Sequence, residues 1–245
     1  TDTTAINYNP EATINDGSCY HDVVTDIDGN EYQAVQIGEQ LWMKENLKVT
    51  HYNNGDEIQY VQTESDTVWE NLSTGAYGYY NDDLSHQELY GNLYNWYAVD
   101  DSGFNYETFD YIRGICPEDW HVPTDDEIKE LEMYLGMSES EANSYGWGRG
   151  TNEGSKLADR TDLWYDGNLE NNSEFGTSGF TGFPGGYRKY DDGYYYGMGY
   201  YGYFWSSTEN YSFNAWNRTL HYDDSNINRS NIYKQFGFSV RCIKD

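Results

Sequence analysis

Apolar and polar positions alternate along "DVVTDIDGNEYQAVQIGEQLWMKENL". From residue 32, Tyr32, Ala34 and Gln36 interleave with Gln33, Val35 and Ile37, which is the period of a strand. Asp28-Gly29 signals a hairpin turn before this run, and a second turn near Gly38 returns the chain through Leu41 and Trp42. Asp26 and Asp28 occupy the start of a calcium-loop pattern, but its remaining acidic positions are missing, so the pair reads as hairpin chemistry.

The period changes to helical after Pro123. Thr124 with Glu127 is a capping box, Ile128, Leu131 and Leu135 share one face, and Gly136 stops the helix. Ser138 with Glu141 opens a shorter helix that should end at Gly146. "ELYGNLYNWYAV" reads as a third helix with Leu89, Leu93 and Trp96 inward, its aromatic content leaving a strand open. Beyond Gly146, glycine alternates with large rings in "GFPGGYRKYDDGYYYGMGYYGYFWSST", a pattern of core strands and tight turns rather than a linker. From about 210 to 236 no period survives, and "GFSVRC" then reads as a clean strand closed by a cysteine. No repeat of 20 to 50 residues is visible.

Charge narrows the partners. Of 245 residues, 14 are Lys or Arg and 42 are Asp or Glu, giving −28, which repels phosphate backbones and anionic lipid heads. Nucleic acid and membrane-surface partners are therefore disfavoured. No apolar run reaches a spanning length and no signal peptide opens the sequence, so the chain reads as soluble and already processed. Aromatics are 18% of residues and Tyr alone supplies 27, a composition suited to a wet core or a binding face. Cys19, Cys116 and Cys242 are too far apart for a CxxC site, so two of them pair in an oxidising compartment and one is left over.

Residues 1–21 lack apolar periodicity and carry Asn-Pro and Asp-Gly, the marks of an irregular appendage. They resemble a short linker motif at the joints of secreted bacterial multidomain proteins, in which Cys19 pairs with a cysteine just before the Thr-Asp start. Residues 22–245 form the main domain. There, "IGEQLWMKENL", "YGNLYNWYAV", "GICPEDWHVPTDDE", "FPGGYR", "GYFWSSTE" and "GFSVRCIKD", in that order, resemble the Fibrobacter succinogenes major paralogous domain family. The resemblance implies an α+β domain of the C-type-lectin-like kind, akin to formylglycine-generating enzymes, with small twisted antiparallel sheets, two main helices and long loops. It also implies a Cys116–Cys242 disulfide, which on the entropy model stabilises by about 4 kcal/mol.

Catalysis finds little support. Oxidase chemistry needs a reactive cysteine pair, whereas the two family cysteines are explained as a bridge. His121 in "DWHVPT" reads as structural, and Ser206 and Ser207 in "FWSSTE" lack a nucleophile elbow. No cofactor is expected. Calcium stays possible because oxygen ligands abound, although the Glu-Pro-Asn and Trp-Asn-Asp motifs of calcium lectins are absent.

In the fold that the resemblance implies, the segment before the last strand is the exposed ligand face. Tyr211, Phe213, Asn214, Trp216, Asn217, Thr219, His221, Asp223, Asp224, Asn226, Ser230, Ile232, Tyr233 and Phe236 are the expected contacts, with Trp216 alternatively pointing into the core. The mixture also resembles surfaces in which diversity-generating retroelements rewrite Asn codons to Tyr, His, Asp, Ser, Thr, Ile or Phe. An Asn-rich loop that satisfies its own backbone is the plain alternative. The function expected is a non-enzymatic, extracellular or cell-surface module that binds a protein or glycan or mediates adhesion. A subunit of a self-associating filament or layer is the second reading, and an enzyme the third.

Overall fold

The computed structural model describes residues 23–63, 66–100, 104–105, 110–111 and 114–245. The expected linker at 1–21 lies outside them. In chain order the elements are β1 (Val23–Thr25), β2 (Glu31–Ile37), β3 (Gln40–Met43), β4 (Gln59–Tyr60), α1 (Asp66–Glu70), β5 (Ala76–Gly78), α2 (Leu84–Tyr90), β6 (Leu93–Tyr94), α3 (Trp96–Val99), β7 (Phe104–Asn105) and β8 (Asp110–Tyr111). There follow β9 (Trp120–His121), α4 (Asp125–Tyr134), α5 (Glu139–Ala142), α6 (Glu153–Leu157), β10 (Tyr187–Arg188), β11 (Tyr195–Tyr196), β12 (Tyr201–Asn210), β13 (Asn214–His221), β14 (Asp224–Tyr233) and β15 (Ile243–Lys244). The architecture is mixed α and β, with small, mainly antiparallel sheets. One sheet of five strands runs β1-β2-β3-β15-β9, and one of three runs β12-β13-β14.

Local chemistry accounts for the elements that the pattern announces. In the β1–β2 turn, the Asp26 carboxylate accepts from the Asp28 and Asn30 amides, the Asn30 side chain and the Tyr32 hydroxyl. Both capping boxes form, Thr124 with Glu127 on α4 and Ser138 with Glu141 on α5. Gly136 ends the α4 region at φ 125, but α5 stops at Ala142, short of Gly146.

The expected third helix is broken. Gly91 turns out of α2 at φ 76, and a Cβ there would meet Asn46 Cβ and the Leu47 carbonyl at 2.8 Å. The chain instead enters β6 and then α3, with Leu93 and Trp96 buried and Leu89 exposed. Gly91 caps α2 at a positive φ, and its backbone lies against the 46–47 segment where no Cβ would fit.

"GFSVRC" is not a regular strand. Gly237 bridges Arg188, Phe238 bridges Tyr94 and Ser239 bridges Phe204, so successive residues pair with different segments and only β15 beyond them joins a sheet. This run is the hub of the interior, and Phe238, Val240 and Cys242 are fully buried. Cys242 is bonded to Cys116 across 126 residues.

The stretch from 210 to 236 is also corrected: β13 and β14 are long antiparallel strands paired to each other and to β12. Their period is hidden because the inward side chains include charged ones. Arg218 and Arg229 point to Asp125, and Arg218 and Arg149 to Glu132, at N–O distances of 2.6–3.1 Å. All five are buried and clamp α4 to the sheet. Buried charge at this density is stable only when fully paired.

Candidate binding face

Register defines two faces of the β12–β13–β14 sheet. Tyr201 pairs with His221 and His221 with Asp224; Tyr203 pairs with Thr219 and Thr219 with Asn228; Trp205 pairs with Asn217 and Asn217 with Ser230. These residues share one face. Phe204, Arg218, Leu220, Ile227 and Arg229 belong to the other, against α4 and a buried cluster with Trp42, Ile128, Leu131 and Phe180.

The fourteen expected contacts divide by burial. Tyr211, Phe213, Asp223 and Tyr233 are exposed, Tyr211 by 82% and Phe213 by 71%. Asn214, Trp216, His221, Asp224, Asn226, Ser230 and Ile232 are half-buried. Asn217, Thr219 and Phe236 are buried, which removes them from an exposed display. The amide of Asn217 donates to the Ser230 carbonyl while its Oδ1 accepts from the Ser230 hydroxyl, tying β13 to β14. Phe236 packs on Tyr190, Tyr187 and Phe238 at 5.0, 6.0 and 5.6 Å between ring centroids. Trp216 turns neither fully out nor in, because the Arg229 guanidinium lies 3.7 Å over its ring and Tyr145 meets its edge.

The exposed residues collect at two poles. At the β12–β13 hairpin stand Tyr211 and Phe213, with Tyr233 beside Asn214 on the neighbouring strand. Tyr211 adopts φ 63, a left-handed conformation that a bulky side chain resists and Asn tolerates. At the opposite pole His221 contacts Tyr201 at 4.7 Å and Trp147 at 5.8 Å, next to the Asp223 turn. Trp147 follows a bridge between Gly146 and Arg229 that extends the sheet edge, and it is 47% exposed. Burial lowers the His221 pKa, while Asp224 and Asp223 oppose that effect.

Sequence reading missed Trp147, Tyr201, Tyr203, Tyr187 and Tyr190. Ring contacts carry the line from His221 and Tyr201 through Tyr203 and Tyr187 to Phe236, Tyr190 and Tyr233. The alternating tyrosines of "YGYFW" were the available signal, since a strand places Tyr201 and Tyr203 on one face.

Other candidates are occupied structurally. His121 Nε2 lies 2.9 Å from Glu127 and Nδ1 2.6 Å from Asp245, and these hydrogen bonds raise its pKa to about 9. Ser206 is buried and donates to the Trp216 carbonyl. Thr50, His51, Glu57, Tyr60 and Tyr77 line a surface cleft, where His51 Nδ1 is 2.5 Å from Asp28. The same Asp28 accepts from the Thr50 amide and hydroxyl, so the pair ties the β1–β2 turn to residues 50–51. Among the described residues no group of three or more His, Cys, Asp or Glu side chains is placed to hold a metal ion.

No curated protein and no solved structure matches the chain. The family model of the Fibrobacter succinogenes major domain matches residues 35–244, which takes in both poles, the buried ion cluster and the disulfide. The chain belongs to the Fibrobacter succinogenes major domain family.

Proposed function

We propose that this chain is a non-enzymatic, extracellular binding module of C-type-lectin-like kind, with the rim of the β12–β14 sheet as its contact surface. The observation that carries the reading is Tyr211, an aromatic that is 82% exposed and held at φ 63. Neither solubility nor packing favours tyrosine there, whereas contact with a partner does. Asn at such a turn is unstrained, so replacement of Asn by Tyr fits a surface diversified by rewriting Asn codons. Self-association into a layer is the weaker reading, because two copies carrying −28 each repel one another.

The test compares the chain with a triple variant, Tyr211→Asn, Phe213→Asn and Tyr233→Asn. Both are immobilised and exposed to glycan arrays and to bacterial surface proteins. The variant should melt at least as high as the parent and lose the parent's binding. Equal binding by the two would defeat the assignment of the rim.

A further inference from the structure

The pole around His221 combines rings and carboxylates that the chain itself leaves without a cation. Tyr201, His221 and Asp224 lie in register across three strands, and Asp223 occupies the adjoining turn. Trp147 reaches over from the sheet edge to the His221 ring. Asp223 is oriented by Asn168, whose side-chain amide donates to Oδ1 at 3.0 Å and to the Asp223 carbonyl at 3.1 Å. Among the described residues no Lys or Arg forms an ion pair with Asp223 or Asp224, and no cation lies over Trp147 or Tyr201.

Elsewhere the chain uses its aromatic rings and cations on each other. Arg229 covers Trp216 at 3.7 Å, Arg188 covers Trp69 at 4.1 Å and Lys234 covers Trp96 at 4.2 Å. These are favourable because a ring face is the negative end of its quadrupole. The His221 pole offers the same chemistry, and among the described residues no Lys or Arg fills it.

We propose that this pole docks a basic polypeptide segment, with an arginine or lysine side chain seated over the exposed Trp147 ring and Asp223 and Asp224 as its counter-ions. The inference rests on reading the sheet rim as a binding surface and names the chemistry of one partner. Complementarity of charge selects that class: 42 acidic residues against 14 basic ones steer a cationic partner in and a second copy away. A neutral glycan would use the two carboxylates only as acceptors for its hydroxyls, whereas a guanidinium or ammonium group adds a charge pair to the hydrogen bond.

The test is calorimetric titration of the whole chain at physiological ionic strength with an arginine hexapeptide, a glutamate hexapeptide and cellohexaose. The arginine peptide should bind. Trp147→Leu and the pair Asp223→Asn with Asp224→Asn should each weaken it by about tenfold, the size expected from losing a desolvated cation–π contact or a charge-assisted pair. A charge-matched control, Glu39→Gln with Glu118→Gln at exposed sites on other elements, should leave affinity unchanged. Thermal melts verify that each variant is folded.

Equal weakening by the control would mean diffuse adsorption to an acidic surface and would overturn the proposal, as would no binding of the arginine peptide. Binding of cellohexaose, lost in Trp147→Leu, with no binding of the arginine peptide would overturn the basic partner yet leave the rim as a binding surface. Since the rim itself is tested through Tyr211, Phe213 and Tyr233, the two readings fail separately.

Discussion

At the scale of single residues, exposure and backbone strain separate function from folding. Tyr211 gains no burial at φ 63, and a left-handed conformation costs an L-residue with a Cβ about 1 to 2 kcal/mol. Tyr211→Asn should therefore raise stability by about 0.5 to 1 kcal/mol in chemical denaturation; a loss of stability would show that the ring is packed in solution. Phe236→Ala belongs to the opposite class. Its ring is enclosed by Tyr187, Tyr190 and Phe238, and its removal should cost about 3 to 5 kcal/mol. The contrast takes Phe236 out of the exposed contacts expected between 210 and 236.

At the scale of elements, α4 is attached to two sheets by charge, and pH reports on both attachments. Burial alone would raise the Asp125 pKa, but Arg229 and Arg218 hold its carboxyl well below the usual 3.8. A depressed acid contributes stability that is complete above its unfolded value and declines as pH falls below it. The β12–β14 attachment should thus weaken only below about pH 3.8, and Asp125→Asn should cost about 3 kcal/mol at neutral pH by leaving buried guanidinium groups uncompensated. His121, the β9 residue that pairs with Glu127 of α4, behaves oppositely. Glu127 and Asp245 raise its pKa from 6.5 to about 9, so its contribution is complete below pH 6.5 and is lost as pH rises through 9. Denaturation midpoints of the parent should fall across that alkaline window, and those of His121→Ala should not.

At the scale of the whole molecule, the final segment is the keystone. Residues 237–242 touch segments from 43 to 205, and Cys242 closes a loop of 126 residues onto Cys116. Replacing both cysteines by serine should cost about 4 to 5 kcal/mol on the entropy model. Among the described residues Arg241 pairs with no carboxylate in this hub, donating instead to Asn46 Oδ1 and to the carbonyls of Met43, Phe180 and Thr181. Burial lowers its pKa to about 9, which still leaves it charged at neutral pH. Arg241→Leu would orphan those oxygens, an effect of about 3 kcal/mol or more measurable by thermal melts.

What the sequence determined by itself was the chemistry that acts over a few residues. The Asp28-Gly29 turn, the Thr124 and Ser138 capping boxes and the strand that follows the turn all depend on neighbours in the chain and were legible there, although Ala34 and Val35 are both buried and break the strict alternation. Family motifs placed both bridging cysteines correctly. Tertiary structure decided the rest. The close approach of Gly91 to residues 46 and 47 admits no Cβ, and "GFSVRC" is divided among three partners rather than paired with one. The apparent disorder of 210–236 is a sheet whose α4-facing side sets Arg218 and Arg229 beside Leu220 and Ile227, and arginine reads as surface until Asp125 and Glu132 arrive from α4 to neutralise it. Burial of a charge depends on a partner about ninety residues away, and no local pattern encodes that partner.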